Sequence, residues 1–320
     1  MLPVFAFFPV TNCVVDWYNR SMNEESASKI DYYLVKQFIP RRPDDSNKGS
    51  FGKVLIIAGS TRYIGAASLA IRASLRSGAG LVYAAIPEPI QIALASGIAE
   101  AIWYPLPAEK GRFSPEAARL LPALLEDKNA VLIGPGLGQS TGTKSLLLAL
   151  LSRLGNSQAN IPLLLDADAL NLLSQEPDWP ALLPPNCLLT PHPGEFSRLT
   201  GLTIEKIQAD RLTVAKEYAV NWQQTLILKG ANTVIADPQG NCRILSFANS
   251  VLAHGGTGDV LSGILVSLLA QGLTPFDAAS LAVWLHAWAA EDALEAVGHP
   301  AATLPSDIIQ HLGKALANFK

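Results

Sequence analysis

Three cysteines in 320 residues, Cys13, Cys187 and Cys242, are too scattered for a disulfide framework, and no CxxC pair is present. They read as reduced thiols of a cytoplasmic protein, with no thiol nucleophile among them. Charge is scarce as well. Charged residues make up 16% of the chain, 24 Lys and Arg against 27 Asp and Glu, for a formal net charge of -3 and a pI near 6.0. Without a basic excess there is no electrostatic reason to expect nucleic acid as the main partner. A small anion is not excluded, because a few backbone N–H groups can hold a phosphate. No stretch is long and uniformly apolar enough to be read as a membrane span. The apolar run 2–15 is interrupted by Pro3 and Pro9, has no basic segment ahead of it and reads as an extended tail rather than a signal. A P-loop is also missing, because no glycine loop here ends in the required Lys-Ser/Thr pair.

What the chain does contain is apolar residues and punctuation: 49% hydrophobic, with 24 Gly and 22 Pro, enough for a large core. After a polar entry loop over 43–49, KVLIIAG at 53–59 is a buried-strand pattern closed by glycine. Residues 66–76 predict a helix, Gly78 and Gly80 stop it, and 81–86 begins another strand. The unit recurs. Strand 130–133 leads into Gly134-Pro135-Gly136-Leu137-Gly138 and a helix over 144–154. Strand 162–165 leads into Asp166-Ala167-Asp168, and strand 187–190 into Pro191-His192-Pro193-Gly194-Glu195 with a helix over 205–222. Strand 225–228 leads into Lys229-Gly230-Ala231-Asn232-Thr233, then a hairpin of 234–236 and 243–247.

Continuous apolar runs separated by helices predict an α/β protein with a mainly parallel central sheet covered on both faces, a three-layer α/β/α arrangement. The uneven spacing and the late hairpin favour an open sheet over a TIM barrel. In either fold the carboxyl ends of the strands are where a ligand binds. With no linker in the second part, the expected division is an N-terminal extension over 1–44 and one main domain over 45–320. Residues 17–38 read as a short amphipathic docking segment.

The sharpest chemical signal is His254-Gly255-Gly256-Thr257-Gly258-Asp259, running into an apolar stripe of Val260, Leu261, Ile264, Leu265, Leu268 and Leu269 at helical spacing. Gly255, Gly256, Thr257 and Gly258 thus form an anion-binding loop at a helix N-terminus, where glycine lets a phosphate approach free N–H groups. Asp259 at that end is either a base that takes a proton from a substrate hydroxyl or a helix-capping acid. The bracketing glycines favour the base.

Other segments stay open between two readings. Gly134 to Gly138 is a close ligand approach or a structural turn. Asp166 and Asp168 orient a magnesium–water cluster or cap the helix that follows, and Asn171 adds a local cap or a ligand contact. His192, held between prolines, touches a substrate amide, ribose or phosphate, or is a structural loop histidine. Lys229 and Thr233 bind phosphate or ribose, or belong to an ordinary turn with a solvated lysine.

Taken in order, six segments resemble the ADP/ATP-dependent NAD(P)H-hydrate dehydratase family, a branch of the ribokinase-like fold. They are KGSFGKVLIIAGSTRYIGAASLAIRASLRSGAGLV at 48–82, IGPGLG at 133–138, LLLDADALNLL at 163–173, LTPHPGEFSRL at 189–199, LKGANTVIADPQG at 228–240 and GGTGDVLSGILVSLLAQGL at 255–273. The resemblance covers about residues 45–315. It implies dehydration of S-NADHX and S-NADPHX to NADH and NADPH, with a nucleotide phosphorylating the hydroxyl so that it can leave. It implies Asp259 as the catalytic base, and Ala67, Gly136, His192 and Asp259 as contacts of the hydrated dinucleotide. Lys229, Gly230, Ala231, Asn232, Thr233 and Gly258 would contact the nucleotide. The cofactors implied are Mg2+, with no ligand assignable from sequence, and ADP rather than ATP, so that AMP and phosphate are released. A homo-oligomer and a separate NAD(P)H-hydrate epimerase are the implied partners. The chain departs from the family pattern at Asn249-Ser250-Val251-Leu252-Ala253-His254, where many members carry an Asn-Pro-Gly-Met-Ala-Thr-like segment. Two rivals use the same acid and glycine loop: a ribokinase-like small-molecule kinase and a nonenzymatic nucleotide-binding regulator.

Overall fold

The computed structural model describes residues 27–157 and 160–319. Cys13, the run 2–15 and the first part of the expected docking segment lie outside the described residues. The main sheet is built from β1 (Ser28–Lys29), β2 (Lys53–Ile57), β3 (Leu81–Pro87), β4 (Ile102–Leu106), β7 (Ala130–Ile133), β8 (Leu163–Leu165), β9 (Cys187–Leu189), β10 (Thr225–Leu228), β11 (Thr233–Ala236) and β12 (Cys242–Leu245). A separate two-stranded hairpin joins β5 (Ala108–Glu109) and β6 (Arg112–Phe113). The order across the main sheet is β1-β12-β11-β10-β9-β8-β7-β2-β3-β4. From β10 to β4 every pairing is parallel, and β11 runs antiparallel to both neighbours. The sheet is open, with β1 and β4 at its edges, so a closed barrel is ruled out.

Both faces are covered because the central strands are mostly apolar on both sides and successive side chains point to opposite faces. Val54 and Ile56 of β2 enter one core, and Leu55 and Ile57 the other. The first core is closed by α1 (Tyr32–Val35), α2 (Ile64–Arg76), α3 (Gln91–Ala95), α10 (Thr257–Ala270), α11 (Pro275–Val297) and α12 (Pro305–Ala317). The second lies under α4 (Leu121–Leu125), α5 (Thr141–Gly155), α6 (Asp168–Leu173), α7 (Pro193–Thr200), α8 (Ile204–Ala209) and α9 (Arg211–Trp222). Each fully buried Leu or Ile contributes about 1.5–3 kcal/mol, which makes these two layers the main stabilising term.

Three elements differ from the sequence reading. The single helix over 205–222 breaks at Asp210, whose non-helical backbone (φ -147, ψ 73) ends α8 and whose carboxylate accepts the Thr213 N–H at 3.0 Å, capping α9. Helix α10 is not a surface helix with one apolar stripe. Ser262, Gly263, Val266 and Ser267 between the stripe positions are buried too, so the helix is central. The described part of the expected docking segment, residues 27–38, is packed onto the domain itself. Ser28 and Lys29 pair in parallel with β12, Val35 is buried, and the Tyr32 ring stacks on Phe319 at 5.4 Å. No helix of the described residues is long and apolar enough to cross a membrane.

The chain proceeds from β2 outward to β3 and β4, then returns to β7 on the other side of β2 and continues through β8, β9 and β10. Between β2 and β7 the direction of progression reverses, and the loops leaving the two strands diverge to open a crevice.

Candidate active site

Five loops meet at the carboxyl end of this sheet, following β2, β7, β8, β9 and β10, and the N-terminus of α10 points among them. Asp166, directly after β8, is their electrostatic hub. It is 1% exposed. Its Oδ1 accepts hydrogen bonds from Thr190 Oγ1 at 2.8 Å and Lys229 Nζ at 2.6 Å, and its Oδ2 accepts from Ser262 Oγ at 2.7 Å. Three neighbouring strands and α10 are thereby fastened to one carboxylate. Neither Asp166 nor Asp168 caps the helix as a side chain would, since α6 has no side-chain cap; Asp168 Oδ2 instead accepts the Gly138 N–H at 2.8 Å. Asn171 Oδ1 accepts from Arg198 Nε at 2.9 Å.

The solvated-lysine reading of Lys229 fails. Its side chain is 16% exposed, paired with Asp166 and 3.9 Å from Glu195 Oε2. Burial works against its charge, but Asp166 and Glu195 outweigh that and hold its pKa above the ordinary lysine value. The rest of its segment is a tight turn between β10 and β11. Gly230 has φ 143, Asn232 is left-handed, and Thr233 Oγ1 donates to Gly230 O at 2.9 Å. Arg211 clamps the turn from α9 by donating to Leu228 O at 2.7 Å and Lys229 O at 3.2 Å. Ala231 is exposed on it.

His192 is the N-cap of α7, a helix the sequence reading treated as a turn. Its Nδ1 accepts the Gly194 and Glu195 N–H groups at 3.0 and 3.2 Å, and Glu195 Oε2 accepts the His192 N–H at 2.8 Å. Nδ1 must then be unprotonated and the proton sits on Nε2. Burial, then Lys229 and Arg198, push the imidazole pKa down to about 4, so the ring is neutral at physiological pH. Its side chain remains 51% exposed, so one histidine both fixes the helix start and keeps part of its ring at the surface, with Nε2 3.4 Å from Glu195 Oε1.

Gly134 has φ 142, and a Cβ there would overlap the Asp166 carbonyl. Gly136 has φ 63 and is pressed between Tyr63 and Ala66, with its carbonyl accepting from Ser60 Oγ at 2.8 Å. Ala67 is fully buried within α2 beneath Gly59, so its methyl backs the crevice wall.

Gly256, with φ 100, turns the chain into α10. Gly255 is exposed just ahead of it. The Thr257 hydroxyl donates back toward Leu252 O at 2.9 Å and His254 O at 3.0 Å, which leaves it structural. The N–H groups of Gly258 and Asp259 precede the first residue with an intrahelical acceptor and face the crevice end of the helix. Asp259 lies in this first turn and is not a side-chain cap. Burial, then the neighbouring Asp166, raise its pKa to about 7, with Lys229 opposing and Asp168 and Glu195 adding to the rise. The group is poised near neutrality for proton transfer.

Sequence reasoning brought Asp259, Gly258, Gly136, His192 and Lys229 to one end of the sheet but missed the roles of Thr190, Glu195, Arg211 and Ser262. Ser262 follows Asp259 by three residues, so it lies on the same face of the helix, and that spacing was the available signal. The described residues hold no group of three His, Cys, Asp or Glu side chains suited to a metal. With both Asp166 oxygens occupied, the set fits a magnesium ion carried by nucleotide phosphates and reached through water, rather than one caged by protein.

An open, mainly parallel three-layer sheet, with a glycine-led helix presenting an acid at its switch point, defines a protein of the ribokinase-like fold. The particular branch follows from comparison. Residues 54–314 match the family model described as NAD(P)H-hydrate dehydratase, and the chain belongs to that family. It is 40% identical over 283 residues to the bifunctional NAD(P)H-hydrate repair enzyme of Moorella thermoacetica, covering 88% of this chain and 52% of the relative. It is 35% identical over 270 residues to the ADP-dependent (S)-NAD(P)H-hydrate dehydratase of Neisseria meningitidis, covering 83% of this chain and 86% of the relative. Among solved structures, the ADP/ATP-dependent NAD(P)H-hydrate dehydratase of Bacillus subtilis, co-crystallized with ATP and Mg2+, superposes with a TM-score of 0.78 at 32% identity, over 94% of this chain and 100% of that one. The chain spans about half the length of the first curated relatives it matches, at 52%, 54% and 51%.

Proposed function

We propose that this chain dehydrates S-NADHX and S-NADPHX to NADH and NADPH, using ADP in preference to ATP and releasing AMP and phosphate. The observation that carries this reading is Asp259: a desolvated carboxylate in the first turn of α10, beside two free backbone N–H groups and within the field of Lys229. A base in that position takes the proton of the substrate hydroxyl as its oxygen attacks the terminal phosphorus of the nucleotide. The bond from that phosphorus to the bridging oxygen breaks, and AMP leaves. The ring nitrogen lone pair then expels phosphate from the adjacent carbon, and loss of a proton from the next carbon restores the ring double bond. The N–H groups of Gly258 and Asp259 stabilise charge on the transferring group. Lys229 limits repulsion among the surrounding acids. Magnesium, where bound, neutralises phosphate charge.

The dinucleotide contacts assigned are Ala67, Gly136, His192 and Asp259, and the nucleotide contacts are Lys229, Gly230, Ala231, Asn232, Thr233 and Gly258. The half-exposed ring of His192, neutral and with its Nε2 3.4 Å from Glu195 Oε1, suits contact with a carboxamide or a ribose. The cytoplasmic setting, a homo-oligomeric state and cooperation with an NAD(P)H-hydrate epimerase belong to the same proposal; the bifunctional name of the Moorella relative supports the last.

The test is to incubate purified protein with S-NADHX, magnesium and either ADP or ATP, following NADH and orthophosphate together. Equal, nucleotide-dependent formation of both is expected, faster with ADP. A stable phosphorylated alcohol would turn the reading to a small-molecule kinase, and nucleotide binding without turnover would turn it to a regulator.

A further inference from the structure

The inner site and its rim carry opposite charge. Around Asp259 stand Asp166, Asp168 and Glu195, opposed by Lys229 and, near His192, by Arg198. A ligand with a pyrophosphate finds little countercharge there. Its anionic part must be met elsewhere or be repelled.

Three cations stand on the wall where the β2–α2 loop meets the hairpin of β5 and β6. Arg62 and Lys110 are exposed and Arg112 is half-buried. The Thr61 N–H donates to Gly111 O at 2.9 Å, which fastens Arg62 beside the hairpin tip, where Lys110 is held in a left-handed conformation with φ 49. Arg112 borders the Gly134–Gly138 loop, since a Cβ on Gly138 would stand 2.6 Å from its Nε. Among the described residues none of the three has a carboxylate within ion-pair distance. Glu109 is in register with Arg112 across the hairpin without closing a pair. The Arg62 guanidinium instead lies 5.5 Å from the Tyr63 ring, which is 44% exposed next to Gly136.

Position separates this rim from the nucleotide segment. In the order β10-β9-β8-β7-β2 the Lys229 turn lies four strand spacings from β2, roughly 19 Å at about 4.8 Å each. The acid and glycine loop of α10 lie between them. Two ligands meeting at Asp259 would therefore extend to opposite sides, one over the β10 turn and the other over β2 and β7.

We propose that Arg62, Lys110 and Arg112 form an anion-reading rim that takes the phosphates of the hydrated dinucleotide, and that it serves the form with the additional ribose phosphate most strongly. This rests on the dehydratase reading for its substrate. It assigns these side chains to substrate recognition, outside the reacting atoms.

The experiment compares wild type with Lys110→Ala, Arg112→Ala and the double variant in steady-state assays on S-NADHX and S-NADPHX. Titration calorimetry with NADPH and NADH gives a second readout that needs no turnover. The double variant is expected to raise the KM for S-NADPHX by about tenfold and that for S-NADHX by less, to change kcat by under about twofold, to leave the KM for ADP unchanged and to weaken the salt dependence of dinucleotide binding. Lys110→Glu, at an exposed hairpin tip, provides a variant with no buried contact to lose, and it should impair S-NADPHX more than Lys110→Ala. Unchanged dinucleotide KM values, or a rise confined to ADP, overturn the rim. A wild type that binds NADPH through these residues yet turns nothing over keeps the rim and overturns the dehydratase reading. Absence of both binding and turnover overturns both.

Discussion

Asp259 illustrates how one side chain's chemistry depends on neighbours distant in sequence. As the third residue of a helix it would sit at a favourable end for a carboxylate and stay ionised well below neutrality. Partial burial, and then the charge of nearby Asp166, push its pKa up to about 7 instead. Turnover needs the ionised base, so kcat/KM should rise about tenfold between pH 6 and pH 8 and then level off; a flat profile measured over pH 5.5–9 would remove Asp259 as the base. Asp259→Asn should lower kcat by at least about a thousandfold while nucleotide binding persists, since the backbone N–H groups remain. The same substitution has a stability consequence of fixed sign. The folded-state pKa lies above the unfolded value, so the folded protein binds the proton more tightly, and the wild type loses stability as pH rises from about 4 to about 7. Asn has no proton to lose, so the variant should be more stable than wild type at pH 8, by on the order of 2 kcal/mol, and not at pH 4; calorimetry at the two values decides. The acid and its glycines were legible in the sequence as a local string. The Asp166 hub was not, because Thr190, Lys229 and Ser262 come from three other segments.

At the scale of elements, the packing of α10 on α2 sets where the acid points. Gly263 lets the helices approach: a Cβ there would clash with the Ala70 carbonyl and stand 2.7 Å from the Ala73 methyl. Gly263→Ala should therefore destabilise the protein by about 1–3 kcal/mol and lower kcat through tilt of the Asp259 turn; denaturant unfolding and steady-state kinetics on one preparation check both. The capping pair His192–Glu195 fixes the start of α7. His192→Ala should cost about 1 kcal/mol through loss of the cap and raise the KM for the dinucleotide without altering that for ADP. The sequence reading of 205–222 as one helix failed for a local reason. Asp210 offers its own carboxylate to the Thr213 N–H, and that competes with continuing the helix.

For the whole molecule, the reversal of strand order between β2 and β7 gathers five loops at one end, and ligand binding there should stabilise the entire sheet. At about a hundredfold over its Kd, ADP with magnesium should add about 2.7 kcal/mol, raising Tm by on the order of 5 °C; scanning calorimetry with and without the nucleotide measures it. The segment before β2, with β1 against β12 and Tyr32 stacked on Phe319, ties the start of the described chain to its end.

The sequence by itself determined the three-layer class, the parallel run of strands and the glycine-flanked acid, because apolar runs, helical spacing and glycine at a helix start are local signals. The ribokinase-like assignment was legible only because six such segments occur in one order. The tertiary structure decided the rest: that Lys229 is buried rather than solvated, that His192 is a neutral helix cap, and that Asp166 binds three partners instead of capping its own helix. Those properties depend on desolvation and on charges brought within a few ångströms across strands, and no spacing along the chain encodes either.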